Sequence, residues 1–498
     1  MLNHTDPIVK TAQGAVRGLH QDGTAVFLNI PYAAPPVGAG RFAPPQPHAP
    51  WGGVHDATEA GPTAPQAKRD AFGDLDMSPY FGPGWIPGAD YLTVNVWAPA
   101  GASGGLPVMV FVHGGGFVAG STRSALYDGS AFARDGVVFV TLNYRLGISG
   151  FLDLPGAPAN RGLLDVVAAL RWVSSNIAAF GGDPGNVTLL GQSAGATIVG
   201  GVLAHREAEG LFRHAIVQSG SGLGAFSPEQ AARVTRAAAE ALGVEPHADA
   251  FATIPDERFV EIMPKLAGID LRTETHSDPL IGLSPFSLVL DVQPADAVAA
   301  GAAEDVDLLV GTNSEEGNLY LAPLGNYSTS ADADVDAAAA RSHRDPAGLV
   351  ETLRRERPQA SSGELRSAVM ADALFGKGSR RMAEAHSSHH PRSDTYAYEF
   401  AWRSQALNGE LGATHAMELP FVFDVTALPQ LHGAKAILGP VEPPAELSRR
   451  VHATWIEFAR TGSPGWDRYE TTRRATMRIA SEWTLTEDPR SAERQFWS

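Results

Sequence analysis

The sequence predicts an α/β protein: a large, mostly parallel central sheet flanked by helices, with long insertions. Three observations predict it. Short apolar runs rich in β-branched residues recur along the 498 residues. Most of these runs are apolar at nearly every position, as strands covered on both faces must be. Helical patterns separate them, and strand–helix–strand alternation implies parallel pairing with helices on both faces.

Taken in chain order, strands are expected at residues 108–112, 137–142, 187–190, 214–217, 306–310 and 395–400. Between the second and third, Leu163, Val166, Val167, Leu170, Val173 and Ile177 recur at helical spacing and make one apolar face. Gly181-Gly182 stops that helix and Asp183-Pro184 marks a turn. A second helix is expected over 194–205. No internal repeat or linker divides the chain, so residues 1–498 read as one domain. Three stretches read as insertions on it, about 66–89, 222–294 and 328–344. The first is rich in Gly, Pro and aromatics, the second partly helical, the third Ala/Asp-rich and exposed. Long excursions of this kind often cover an active site.

Composition narrows the function. Lys and Arg number 38 against 55 Asp and Glu, a net charge of −17. That balance argues against nucleic acid or an anionic membrane as partner. With no cysteine, a disulfide framework, a thiolate metal site and a cysteine nucleophile are excluded. The first residues, Met1-Leu2-Asn3-His4-Thr5-Asp6-Pro7, show no basic and apolar leader pattern, and no run reaches the ~18 apolar residues of a membrane span. A cytoplasmic protein is the expectation.

Gly191-Gln192-Ser193-Ala194-Gly195 is the most informative motif. It joins an expected strand to an expected helix, the setting of a nucleophile elbow, where a sharp turn pushes a serine toward substrate. A second match, Gly101-Ala102-Ser103-Gly104-Gly105, lies in a Gly-rich loop before a strand and reads as a flexible turn. An acyl-transfer serine needs a base, an orienting acid and donors for the oxyanion. His113-Gly114-Gly115-Gly116-Phe117, directly after a strand, offers unobstructed main-chain N–H groups, and Ala194 follows the serine. His113 itself reads as structural. His415 leads the 16 histidines as base because it sits in a loop before an apolar segment, although spacing alone does not choose it. The cluster His386, His389 and His390 suggests metal, but the surrounding Ser and Pro make a solvated loop the preferred reading. Neither metal nor cofactor is expected. For the acid, Glu316 and Glu315 both lie at the end of the strand 306–310, the sheet edge where open α/β proteins place their sites. The order Ser, Glu, His is that of the α/β-hydrolases.

At this point the chain resembles the type-B carboxylesterases, the group that includes bacterial para-nitrobenzyl esterases. The resemblance rests on Phe27-Leu28-Asn29-Ile30-Pro31-Tyr32-Ala33, Arg41-Phe42, Asn143-Tyr144-Arg145-Leu146-Gly147, Phe180-Gly181-Gly182-Asp183-Pro184 and Gln218-Ser219-Gly220-Ser221. Trp455, Phe458 and Gly462 extend it toward the C-terminus. It implies the α/β-hydrolase fold and the triad Ser193, Glu316 and His415, choosing the Glu directly before Gly over Glu315. It also implies an oxyanion hole from Gly115, Gly116 and Ala194. Ser219 matches a serine beside the triad, although a strand-end cap explains it equally. The family's disulfide positions read Ala64 and Tyr91 here, which leaves the intervening loop more mobile.

The resemblance implies a serine carboxylesterase that hydrolyses a small-molecule ester through an acyl-enzyme on Ser193. Carbamates, amides and phthalate- or polyester-type esters suit the same machinery. A catalytically silent binding protein on this fold is the alternative of another class. Phe117, Trp85, Phe81, Phe286 and Phe375 are expected to line an apolar substrate gorge.

Overall fold

The structure, a computed structural model, describes residues 6–389 and 392–497. The N-terminal stretch read for a leader therefore lies mostly outside the described residues, as does His390.

Among the described residues, eleven strands form the central sheet. In chain order they are β1 (Leu19–Gln21), β2 (Thr24–Pro31), β3 (Thr93–Pro99), β4 (Leu106–Val112), β5 (Val138–Leu142), β6 (Gly182–Gln192), β7 (His214–Gln218), β8 (Asp307–Asn313), β9 (Thr395–Phe400), β10 (Ala475–Ile479) and β11 (Trp483–Glu487). Their spatial order is β11-β10-β9-β8-β7-β6-β4-β5-β3-β2-β1. From β5 through β10 every pairing is parallel. The edges β1–β3 and β11 are antiparallel. All six strands expected from the apolar runs are present and parallel. The antiparallel edges carried no comparable run.

The continuous apolar runs have a simple cause. Val108, Val110 and Val112 of β4 point into one core and Met109 and Phe111 into the other. The same alternation separates Leu189 from Leu190 and Val310 from Leu309. One core is covered by α1 (Arg161–Asn176) and α2 (Ala194–Leu203). The excursion 222–294 adds α3 (Pro228–Leu242), with a capping box between Ser227 and Gln230.

The stretch 328–344 contains α4 (Asp332–Ser342). Asp332 and Asp336 stay exposed, but Val335 and Ala339 are fully buried against α5 (Pro346–Glu356) and α6 (Ser362–Ala371). The expectation of an exposed segment holds for one face only. Next come a π-helical turn, Asp372–Gly376, and α7 (Lys377–His389). The solvated loop expected around the histidine cluster is thus corrected to a helix as far as His389. His386 is buried, with Nδ1 2.7 Å from Thr395 Oγ1 and Nε2 2.9 Å from the Val306 carbonyl. On the opposite face α8 (Ala445–Thr461) buries Val451, Trp455 and Phe458.

The helix α1 continues as a 3-10 turn to Phe180, and the stretch Arg161–Phe180 is long and apolar enough to cross a membrane by length and composition. It is instead a core helix, most of it buried in the protein. Its Asp165 carboxylate accepts two hydrogen bonds from the Arg145 guanidinium, at 2.9 and 2.7 Å, and both side chains are fully buried. This pair fastens the loop after β5 to α1. It accounts for the arginine in Asn143-Tyr144-Arg145-Leu146-Gly147.

Candidate active site

The carboxyl ends of four adjacent parallel strands meet at one edge: Val112 of β4, Gln192 of β6, Gln218 of β7 and Asn313 of β8. Each leads directly into a candidate residue. After β6, Ser193 adopts φ +57° and ψ −125°, a conformation rarely open to a residue with a side chain. The flanking glycines make this turn possible. A Cβ on Gly191 would sit 2.6 Å from the backbone of Gly195, and one on Gly195 would sit 2.1 Å from the Val112 carbonyl. The turn is held by Ser193 N–H donating to the Gln218 carbonyl at 2.9 Å. Ser103, by contrast, stays in the loop between β3 and β4 with no helix after it.

The three side chains expected to meet do so. His415 Nε2 lies 2.8 Å from Ser193 Oγ, and His415 Nδ1 lies 2.5 Å from Glu316 Oε2. His415 and Glu316 are buried, whereas Ser193 is half-buried and faces a cavity. The other oxygen of Glu316 accepts from Ser219 Oγ at 2.5 Å and from Asn313 N–H at 2.7 Å. Ser219 therefore touches Glu316 directly. A 3-10 turn over Glu316–Tyr320 aims Glu316 inward and leaves Glu315 facing the other way. Glu315 pairs with Arg403 and accepts from the Ala413 N–H at 2.9 Å, so it ties down the loop that carries His415.

Facing Ser193 is the loop after β4. Gly115 has φ +115°, and a Cβ there would lie 2.0 Å from the Ala119 carbonyl. Among the described residues, the N–H groups of Gly115, Gly116 and Ala194 donate to no protein acceptor. His113 is buried, stacked on Tyr144 at 4.5 Å, and burial pushes its imidazole down to about 4. It stays neutral and supports the loop.

Several further residues support this arrangement. Phe375, on the π-helical turn, stacks flat on His415 with ring centres 4.3 Å apart and an interplanar angle of 8°. The Gln192 carboxamide nitrogen approaches His415 Nε2 at 3.3 Å. Glu418 lies buried three residues after the histidine, held by Asn313 Nδ2 at 2.7 Å and Gln218 Nε2 at 3.2 Å. Burial, then the neighbouring Glu316 charge, pushes its carboxyl up to about 7. Near neutrality it holds a proton part of the time, which limits the negative charge beside the Glu316–His415 pair.

Ser284, from the excursion 222–294, donates through Oγ to the Gly116 carbonyl at 2.8 Å. That bond fixes the peptide next to the free N–H groups. Ser284→Ala is expected to lower kcat about three- to tenfold, the worth of one neutral hydrogen bond, with KM and melting temperature little changed. Steady-state kinetics beside a thermal melt checks this, and an unchanged kcat would remove Ser284 from the list of positioning residues.

The cavity above Ser193 holds about 150 Å³. Phe117, Phe81 and Phe375 line it, as expected, together with Phe72, Tyr80 and Leu280. Trp85 and Phe286 do not. Phe286 is buried in the larger core, its backbone held by Ser284 Oγ, and Trp85 lies half-buried in the irregular stretch 82–92. Apart from His415, the lining's one ionisable cation is Arg69, at the exposed rim. The first excursion supplies much of this wall. Thr63 bonds to Gly84 and Ile86, and Gln66 to the backbone of Gly120, across the place where the expected family disulfide is missing.

With this geometry in view, the chain was compared with known proteins. The model of the family described as "Carboxylesterase family" matches residues 5–497. Para-nitrobenzyl esterase of Bacillus subtilis (strain 168) is 37% identical over 505 residues, covering 99% of this chain and 98% of the relative. Phenmedipham hydrolase of Pseudarthrobacter oxydans is 34% identical over 477 residues, covering 93% and 92%. A solved PNB esterase structure is 35% identical with a TM-score of 0.83, covering 99% of this chain and all of that one.

Proposed function

Because the chain belongs to the carboxylesterase family, we propose that Ser193, His415 and Glu316 are the triad through which it hydrolyses its substrates. The fold is that of the α/β-hydrolases, and the protein is a serine carboxylesterase acting on small-molecule carboxylic esters.

The observation that carries the residue assignment is His415 bridging Ser193 and Glu316 at 2.8 and 2.5 Å. Neutral His415 accepts the Ser193 proton at Nε2 as Oγ attacks the ester carbonyl carbon. The imidazolium that results is stabilised by Glu316, whose hydrogen bond to Nδ1–H also fixes the tautomer. Negative charge on the former carbonyl oxygen is met by the N–H groups of Gly115, Gly116 and Ala194. Each such donor is worth about 10²–10³ in turnover. His415 then protonates the departing alcohol. Water, activated by the same nitrogen, cleaves the acyl-enzyme and regenerates the serine. The apolar lining of the cavity suits an uncharged acyl or alcohol group beside the scissile bond.

The test is direct observation of the covalent intermediate. Protein quenched during turnover of a short-chain para-nitrophenyl ester is expected to carry one added acyl group. Peptide mass mapping is expected to place it on Ser193. Turnover accompanied by an adduct on any other residue would reject the assignment.

A further inference from the structure

Away from the ester cavity lies a larger one, of about 560 Å³. Its walls carry Arg272, Arg341, Arg344 and Lys377, with His276 and His343 beside them. Glu274 is the one carboxylate in the lining. In a chain of net charge −17 this is a concentration of positive charge against the grain of the surface. Arg272 is engaged by Asp270 at 2.8 and 2.9 Å. The other three cations pair with no carboxylate among the described residues. Arg344 donates to the Thr275 carbonyl at 3.2 Å, and Lys377 Nζ lies over the Trp497 ring at 5.3 Å. Burial pulls the Lys377 ammonium down, with Asp372 and Asp278 opposing from outside hydrogen-bond reach. Arg341 also faces the Asp278 and Asp270 carboxylates, but cations gathered around one concave site still outnumber them and attract a counter-ion.

Both walls of this cavity continue into the ester site. The segment bearing Arg272 and Thr273–Ser277 runs on to Leu280, Leu283 and Ser284, which line the ester cavity, and Ser284 anchors Gly116. On the other side Lys377 directly follows the π-helical turn whose Phe375 covers His415.

We propose that this cavity binds a small multivalent anion, bearing phosphate or clustered carboxylate groups, whose occupancy draws the two walls together and raises turnover at Ser193. Arg341, Arg344 and Lys377 supply charge-assisted bonds to it. The binding itself does not depend on the esterase assignment, whereas the effect on turnover rests on it.

The experiment titrates the full chain with pyrophosphate and, separately, citrate, against sodium chloride of equal ionic strength. Calorimetry is expected to give one site with a dissociation constant of about 10 µM to 1 mM, unchanged in Ser193→Ala. Whichever probe binds tighter identifies the anion's chemistry. The wild-type kcat for para-nitrophenyl butyrate is expected to rise about two- to fivefold with the anion present. Lys377→Met with Arg344→Met is expected to abolish both binding and stimulation, and Arg341→Met alone to weaken both if the double variant does not fold. Absence of binding by either probe at about 10 mM overturns the site. Binding without a change in kcat overturns the coupling and leaves the esterase reading intact. Competition with the ester, seen as a raised KM, overturns the proposal by placing the anion at Arg69.

Discussion

Ser193→Ala is expected to lower kcat for a short-chain para-nitrophenyl ester by about 10⁴- to 10⁶-fold, the range seen when a triad nucleophile is removed. The size follows from what alanine leaves behind. The proposed oxyanion donors and the cavity are left in place, but no oxygen remains to attack an ester. His415 loses the 2.8 Å partner at Nε2, a neutral hydrogen bond worth about 1 kcal/mol. The backbone strain at φ +57° is unchanged, because alanine also has a Cβ. Stability is therefore expected to move by no more than about 1 kcal/mol, which a thermal melt checks beside the kinetics. A folded Ser193→Ala protein retaining a tenth of the wild-type rate would refute the nucleophile assignment.

Glu316→Gln is expected to cost about 10³- to 10⁴-fold in kcat, and the geometry says why. One oxygen of Glu316 receives two donors, Ser219 Oγ and the Asn313 N–H. A glutamine must place its carbonyl oxygen there, or leave both donors unpaired in a buried site. Its NH₂ group then faces His415 Nδ1. That nitrogen must become the acceptor, so the proton moves to Nε2, where it blocks uptake of the Ser193 proton. Glu315→Gln is the control. Its carbonyl can still accept from the Ala413 N–H, and the lost charge faces an exposed Arg403, a pairing worth about 0–1 kcal/mol. An effect below about fivefold is expected there. If the two variants exchanged effects, Glu315 would be the acid.

These contrasts also mark what sequence could reveal. The strands were readable because parallel strands buried on both faces leave continuous apolar runs, and α1 because its apolar face repeats. The elbow was readable because only glycine tolerates the contacts at 191 and 195. Glu315 and Glu316 were not separable from their neighbours alone, since the choice is made by which way a 3-10 turn rotates each carboxylate. Resemblance to the family is what favoured Glu316. Trp85 and Phe286 misled because an aromatic in an irregular segment has no periodicity to reveal its direction. Ser284 and Glu418 act through tertiary placement, and Phe375, expected as a cavity wall, gave no sign that it also stacks on His415. The four cations of the second cavity come from three separate chain segments, so no window of sequence displays them together.

The loop over the ester cavity is closed at its base by Thr63 and Gln66 through hydrogen bonds alone. Dithiothreitol has no bond to sever there. The wall formed by Phe72, Tyr80 and Phe81 is thus indifferent to thiol–disulfide exchange, and what loosens it is whatever competes for amide hydrogen bonds, urea foremost.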